Sequence, residues 1–362
     1  MRARAHRRTR PSRRCSTSTA IEWWIARTAC IGFASALVAL GTPTGFASAS
    51  TGQTSSLASN RPALGDTTAR TVSLSVSVAP FALPEPVSRP VALADRGTIL
   101  LLGGLHAGDV STDDIVRVDP AHARASVVGT LAIAVHDAGG VQLGANAFVF
   151  AGGAATTQTA VQAWAGSRTS IIGALPQGRS DLVGAAVGGV GYVIGGFDGT
   201  ALVPQILATR DGRHFSVVGR LVQPVRYPAV SVVGGKILVI GGALSTTEGT
   251  LAGPQTSDIQ RFDPASGVTT IIGHLPHVLS HAMALTIGND LYVIGGREGA
   301  TLSSDIWKVN PATGAVLRVG TFAMPRSDAG AVVVNGTGYL LGGEVSGPDA
   351  PLSSIVVVKT TP

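Results

Sequence analysis

The chain has 362 residues, enough for one large domain or two ordinary ones, and 45% of them are hydrophobic, so a sizeable core can be buried. Charged residues are sparse at 13% and glycine is abundant at 47 residues, a profile of short strands and tight turns that excludes a disordered or largely helical chain. The formal net charge of +6 is local: residues 1–49 hold eight arginines and one acid, so 19 basic and 20 acidic residues fall in 50–362, a net of −1 that excludes nucleic acid as a partner.

The first 49 residues read as an export signal: arginines from Arg2 to Arg14, an apolar stretch over 29–40, then Ala47-Ser48-Ala49 as a cleavage site. The apolar stretch is short for a membrane span, and a membrane anchor follows only if the leader stays uncleaved. Secretion, or another extracytoplasmic location, is the expectation. Cys15 and Cys30 both precede the cleavage point, so the mature body has neither a disulfide nor thiol chemistry. A Ser/Thr-rich linker over 50–70 precedes the folded domain, expected over 71–362.

The first strand of that domain is expected over 71–78, where side chains alternate, with 81–84 leading away from it. It stands before any repeat. Six glycine pairs then end apolar runs: Gly103-Gly104, Gly152-Gly153, Gly195-Gly196, Gly241-Gly242, Gly295-Gly296 and Gly342-Gly343, spaced by 49, 43, 46, 54 and 47 residues. Within each repeat a strand of small apolar residues, such as 182–187 or 282–287, is followed by a tight turn such as Gly188-Gly189 or Asn335-Gly336. A second strand ends in the pair, as in Tyr292-Val293-Ile294-Gly295-Gly296. A third strand (258–262, 305–309) leads through turns such as Asp263-Pro264 or Asn310-Pro311 into a short aliphatic fourth strand. Four antiparallel strands per repeat make a propeller blade, with alanine and glycine on the innermost strand, where strands crowd the channel. The sixth repeat stops after its third strand, 354–359, so the strand over 71–78 is expected to complete it and close the ring.

The glycine pairs, the preceding Tyr-Val-Ile and the Asp-Pro turns resemble the kelch-repeat family within the galactose oxidase-like propellers. The resemblance covers 71–362 and implies an all-β, six-bladed kelch-type β-propeller. The tyrosine and tryptophan usual on the outer strands of kelch repeats are mostly missing; Phe262 and Trp307 approximate the first.

Antiparallel geometry places the openings of the blades and the loops after the glycine pairs on one face, the channel mouth. Those openings supply Arg89, His136 with Asp137, Arg179 with Asp181, Arg226 with Tyr227, His281, and Arg326 with Asp328 as candidate ligand-binding residues. Such a ring suits an anionic, sugar-like or peptide ligand. Equally, arginine and aspartate could pair between blades and fix their register. No nucleophile–base pair, phosphate loop or metal motif stands out; the loosely spaced His274, His277 and His281 lack a defined metal pattern. The leading expectation is a non-catalytic propeller that binds a protein, peptide or glycan at the mouth, with no cofactor and no metal. One alternative, implied by the resemblance, is a carbohydrate-active enzyme similar to kelch-type sialic-acid mutarotases; another is a structural cell-surface module. Copper-radical oxidation, known on the same fold, needs a cysteine–tyrosine cross-link that this body cannot form, so no tightly bound copper is expected.

Overall fold

The computed structural model describes residues 73–361, apart from 248–250, 252 and 347–349. The expected leader over 1–49 and the linker over 50–70 lie outside the described residues.

Among the described residues every regular element is a strand, and six four-stranded antiparallel sheets carry the fold. Blade one runs Val91–Asp95, Thr98–Leu102, Asp114–Asp119 and Arg124–Thr130, from the channel outward. Blades two to five repeat that order, ending on Thr169–Ala174, Ser216–Arg220, Val268–His274 and Val316–Thr321. Each second strand is buried on both faces after its first residue, because a blade is packed by a neighbour on either side. That is why these strands read as continuous apolar runs. The fourth strands are mostly exposed, and Val127, Ile171 and Val217 stand on that outer rim.

Blade six is built from both ends of the domain. Gly330–Val334, Thr337–Leu341 and Leu352–Thr361 are followed outward by Ser73–Val87, with Ser73 opposite Thr361 and Val78 opposite Val356. The closing strand is longer than the sequence suggests. It continues through 81–84 to Val87, with register shifts between Val78 and Ala82 and between Ala82 and Val87. Pro84 and Pro86 are tolerated there because an outermost strand has one side without ladder partners.

The core is divided into six clusters, one in each seam between neighbouring blades. Between blades one and two, for example, Leu100, Leu102 and Ile115 meet Val149 and Trp164. Between blades six and one, Leu341 and Ile355 meet Ile99, Leu101 and Val118. Each such buried side chain contributes about 1.5–3 kcal/mol, so the seam that joins the chain ends matters as much as any other.

The glycine pairs hold the seams together at the mouth. The second residue of each pair donates its N–H to the carbonyl that leads into the next blade: Gly104 to Val135, Gly196 to Val225, Gly242 to Leu279, Gly296 to Arg326 and Gly343 to Val87, the last residue of the closing strand, all at 2.8–2.9 Å. In blade two the donor is Gly152, which reaches the Arg179 carbonyl at 3.0 Å. The structural pair there is therefore Ala151-Gly152, with φ of 53° and 101°, and not Gly152-Gly153. Gly153 corresponds to the residue after the pair.

Candidate functional site

Each blade opens with three consecutive residues that divide the work at the mouth. The carbonyl of the first (Val87, Val135, Arg179, Val225, Leu279, Arg326) takes the hydrogen bond from the preceding blade's pair. The second (Ser88, His136, Ser180, Arg226, Ser280, Ser327) bridges the residue just after its own blade's pair. The third residues are Arg89, Asp137, Asp181, Tyr227, His281 and Asp328, and every one is held at a φ between 50° and 59°.

Their backbones form a closed cycle. Each N–H donates to the carbonyl of its counterpart in the preceding blade, and Arg89 completes the circle by donating to Asp328, with distances from 2.7 to 3.3 Å. Left-handed backbone costs a non-glycine residue roughly 1–2 kcal/mol, and the closed cycle of hydrogen bonds over-determines it. The six side chains form a floor across the channel. Above it lies a bowl of about 440 Å³, and below it a channel cavity of about 220 Å³. Arg89, Asp137, Asp181, Tyr227 and His281 border both spaces, while Asp328 borders the lower one.

Within the floor, charges pair across seams. Arg89 reaches Asp137 of blade two at 3.1 Å and Glu344 of blade six at 3.3 Å. Arg226 of blade four is ion-paired to Asp181 of blade three and lies over the rings of Phe197 and Tyr227. His281 Nδ1 is 2.7 Å from Asp328 Oδ1, and its ring stacks on Tyr227 at 3.9 Å between centroids. The Tyr227 hydroxyl donates across the ring to Asp137 at 3.3 Å. Burial, reinforced by the Asp137 and Asp181 charges, pushes that phenol well above its ordinary range.

Glu344 and Asp328 form a carboxyl–carboxylate pair. Burial above all, then the charge of Asp328 and a hydrogen bond to it, pushes Glu344 up to about 8. Burial would raise Asp328 as well, but the His281 ring, Arg89 and the bond from Glu344 outweigh it and hold Asp328 below the usual carboxylate range. Burial and the neighbouring Asp328 charge thus favour the protonated form of Glu344, with Asp328 left as the carboxylate of the pair.

The sequence-predicted residues separate in space. Arg89, Asp137, Asp181, Tyr227, His281 and Asp328 converge on the floor, and His136 and Arg226 line the bowl beside them. His136 Nδ1 meets Ser111 Oγ at 2.9 Å. Arg179 and Arg326 do not reach either space. Arg179 donates to the carbonyls of Gly195 and Gln205, and Arg326 to those of Gly342 and Ser354, so each ties the second strand of its own blade to the third. Burial pulls both guanidinium groups down to about 10. In the Arg-Ser-Asp triplets the aspartate borders the channel, and in blade three Ser180 lines the bowl beside it. His274 pairs with Asp258 on an outer strand, away from His281 at the mouth.

Sequence reasoning missed Glu344 and the buried Arg297, whose Nε bonds Ser327 Oγ at 3.0 Å. Both follow a glycine pair directly. The equivalent residues are Leu105, Gly153, Phe197 and Ala243, so a charge at this place in two adjacent blades was the available signal.

The kelch motif family model matches residues 280–320, which begins one residue before the floor position of blade five and extends into its outermost strand. No curated protein is similar to the chain by sequence. That match, on one of six like blades closed into a single ring, makes this chain a kelch-repeat β-propeller.

Proposed function

We propose that this propeller is an exported, non-catalytic recognition module that takes a protein, peptide or glycan partner in the mouth bowl. The observation that carries the reading is the floor itself: six non-glycine residues kept in left-handed backbone around one opening. Glycine would meet that backbone requirement at no steric cost, so the side chains are what the strain maintains, and strain of this kind gathers at ligand sites. Kelch propellers are typically protein-binding, which supports the same reading. The ion pairs argue against acid–base chemistry on sugars, because the carboxylates and guanidinium groups that would carry it are bonded to one another across neighbouring blades. The basic, then apolar, then small-residue leader supports export, as does the absence of cysteine after Cys30.

Two measurements test it. N-terminal sequencing of the mature protein is expected to start near Ser50, and an intact Met1 on a cytoplasmic protein overturns the export part. A screen of peptides, glycans and metabolites against the full chain is expected to give a ligand whose binding the bowl-filling variant Thr156→Trp abolishes. A ligand unaffected by that variant would move the site elsewhere.

A further inference from the structure

We propose that the mouth bowl selects an uncharged, hydroxyl-rich ligand, a short neutral saccharide, and discriminates against anions. This rests on the mouth being the binding site. The charge inventory sets the sign. Two arginines and three aspartates line the bowl, so its fixed charge is negative before any histidine is protonated. Both arginines are already bonded to carboxylates of the floor, Arg89 to Asp137 and Arg226 to Asp181. An anionic ligand would have to compete with those buried pairs, and separating such a pair costs far more than a rim contact returns. Among the described residues of the bowl, the basic side chains outside these pairs are His136, which meets Ser111 Oγ, and His281, which meets Asp328. The aspartate outside them is Asp109, which is exposed on the rim, where solvent and salt screen its pull on a cation.

What remains for a ligand is neutral and amphipathic. The post-glycine loop of blade two brings the hydroxyls of Thr157 and of Thr156, which also accepts from Gln158 Nε2 at 3.3 Å, and that of blade four brings Ser245, whose Oγ also accepts the Thr247 N–H at 3.1 Å. Ala154, Ala155 and Leu251 supply apolar wall between them. A saccharide presents hydroxyls at its edges and C–H groups on its faces, and it can meet both kinds of surface. Asp137 accepts Arg89 and Tyr227 on the same oxygen, Oδ2, so its Oδ1 keeps acceptor capacity for a ligand hydroxyl. The bowl volume of about 440 Å³ falls within the usual size of small-molecule sites.

The test is calorimetric titration of the full chain with three glycan panels in low and high salt: neutral oligosaccharides, acidic ones carrying sialate or uronate, and cationic glucosamine oligomers. A neutral glycan is expected to bind, with an affinity that changes less than about threefold between the two salt conditions. Thr156→Trp and, independently, Ser245→Trp should each weaken it at least tenfold while the thermal midpoint stays unchanged. Binding confined to the acidic or the cationic panel, or a loss above tenfold in high salt, overturns the proposal. Peptide or protein binding at the mouth with no glycan binding also overturns it while leaving the recognition module standing. No mouth ligand of any class removes both.

Discussion

At the scale of single residues, the shared proton of Glu344 and Asp328 makes a measurable prediction. Folding moves Glu344 from an ordinary value of 4.5 to about 8, so between these pH values the folded chain holds a proton that the unfolded chain has released. Stability therefore falls as pH rises from about 4.5 to 8 and changes no further above that. Asp328 acts in the other direction and in another window: its contribution is present above its ordinary range and is lost only as pH falls below it. Glu344→Gln keeps an acceptor for Arg89 and supplies a permanent donor to Asp328. The variant should match the wild type near pH 4.5 and be the more stable by roughly 1–3 kcal/mol at pH 8.5, read from urea unfolding at both pH values. Identical pH slopes would refute the shared proton. The aspartates and arginines of this network were legible in the sequence, because they recur at blade openings. Their division of labour was not. Arg179 and Asp181 stand two residues apart, yet one is turned into the blade and the other across the channel, and that alternation depends on a backbone φ no composition reveals.

The element that repeats most faithfully is the glycine pair, and its reason is steric. A Cβ on Gly241 would lie 2.1 Å from the Leu279 carbonyl oxygen, at a φ of +62° that already disfavours a side chain. Gly241→Ala should cost well over 1 kcal/mol, because backbone of the next blade has to move. Gly235→Ala sits at φ +72° in a hairpin turn with open space around it, so it should cost only about 1 kcal/mol. The converse holds at Ala151, which already tolerates φ 53° in the first position of its pair. Ala151→Gly should be neutral to within about 1 kcal/mol. Chemical denaturation of the three variants ranks them, and a Gly241→Ala protein no weaker than Gly235→Ala would contradict the seam role. The sequence places five pairs correctly and misplaces one by a residue, since Gly152-Gly153 offers the motif while the fold uses Ala151-Gly152. Two of the hairpins after the third strands, at Asp263 and Asn310, were equally legible. Asp119, Asp211, Asp263 and Asn310 each accept backbone N–H groups of their own turn, the local chemistry that makes such residues turn formers.

For the whole molecule, six equal seams mean that the one joining the chain ends is no weaker a candidate for unfolding than the rest. Leu74 and Val76 of the closing strand pack against the seam between blades five and six, and the ladder from Ser73 to Val78 covers the edge of Leu352–Thr361. A chain that starts at Phe81 should lose at least about 5 °C of thermal midpoint and associate through the bared edge; an unchanged midpoint in a monomer would refute closure by this strand. The role proposed for the strained floor is to present a binding surface at the mouth. Hydrogen exchange of the full chain, with and without its best ligand from the screens, tests this most directly. Slowed exchange is expected over 153–157, 180–181, 226–227 and 243–247, with the outer strands unchanged. Protection confined to the outer strands or to the turns at the opposite face would contradict it.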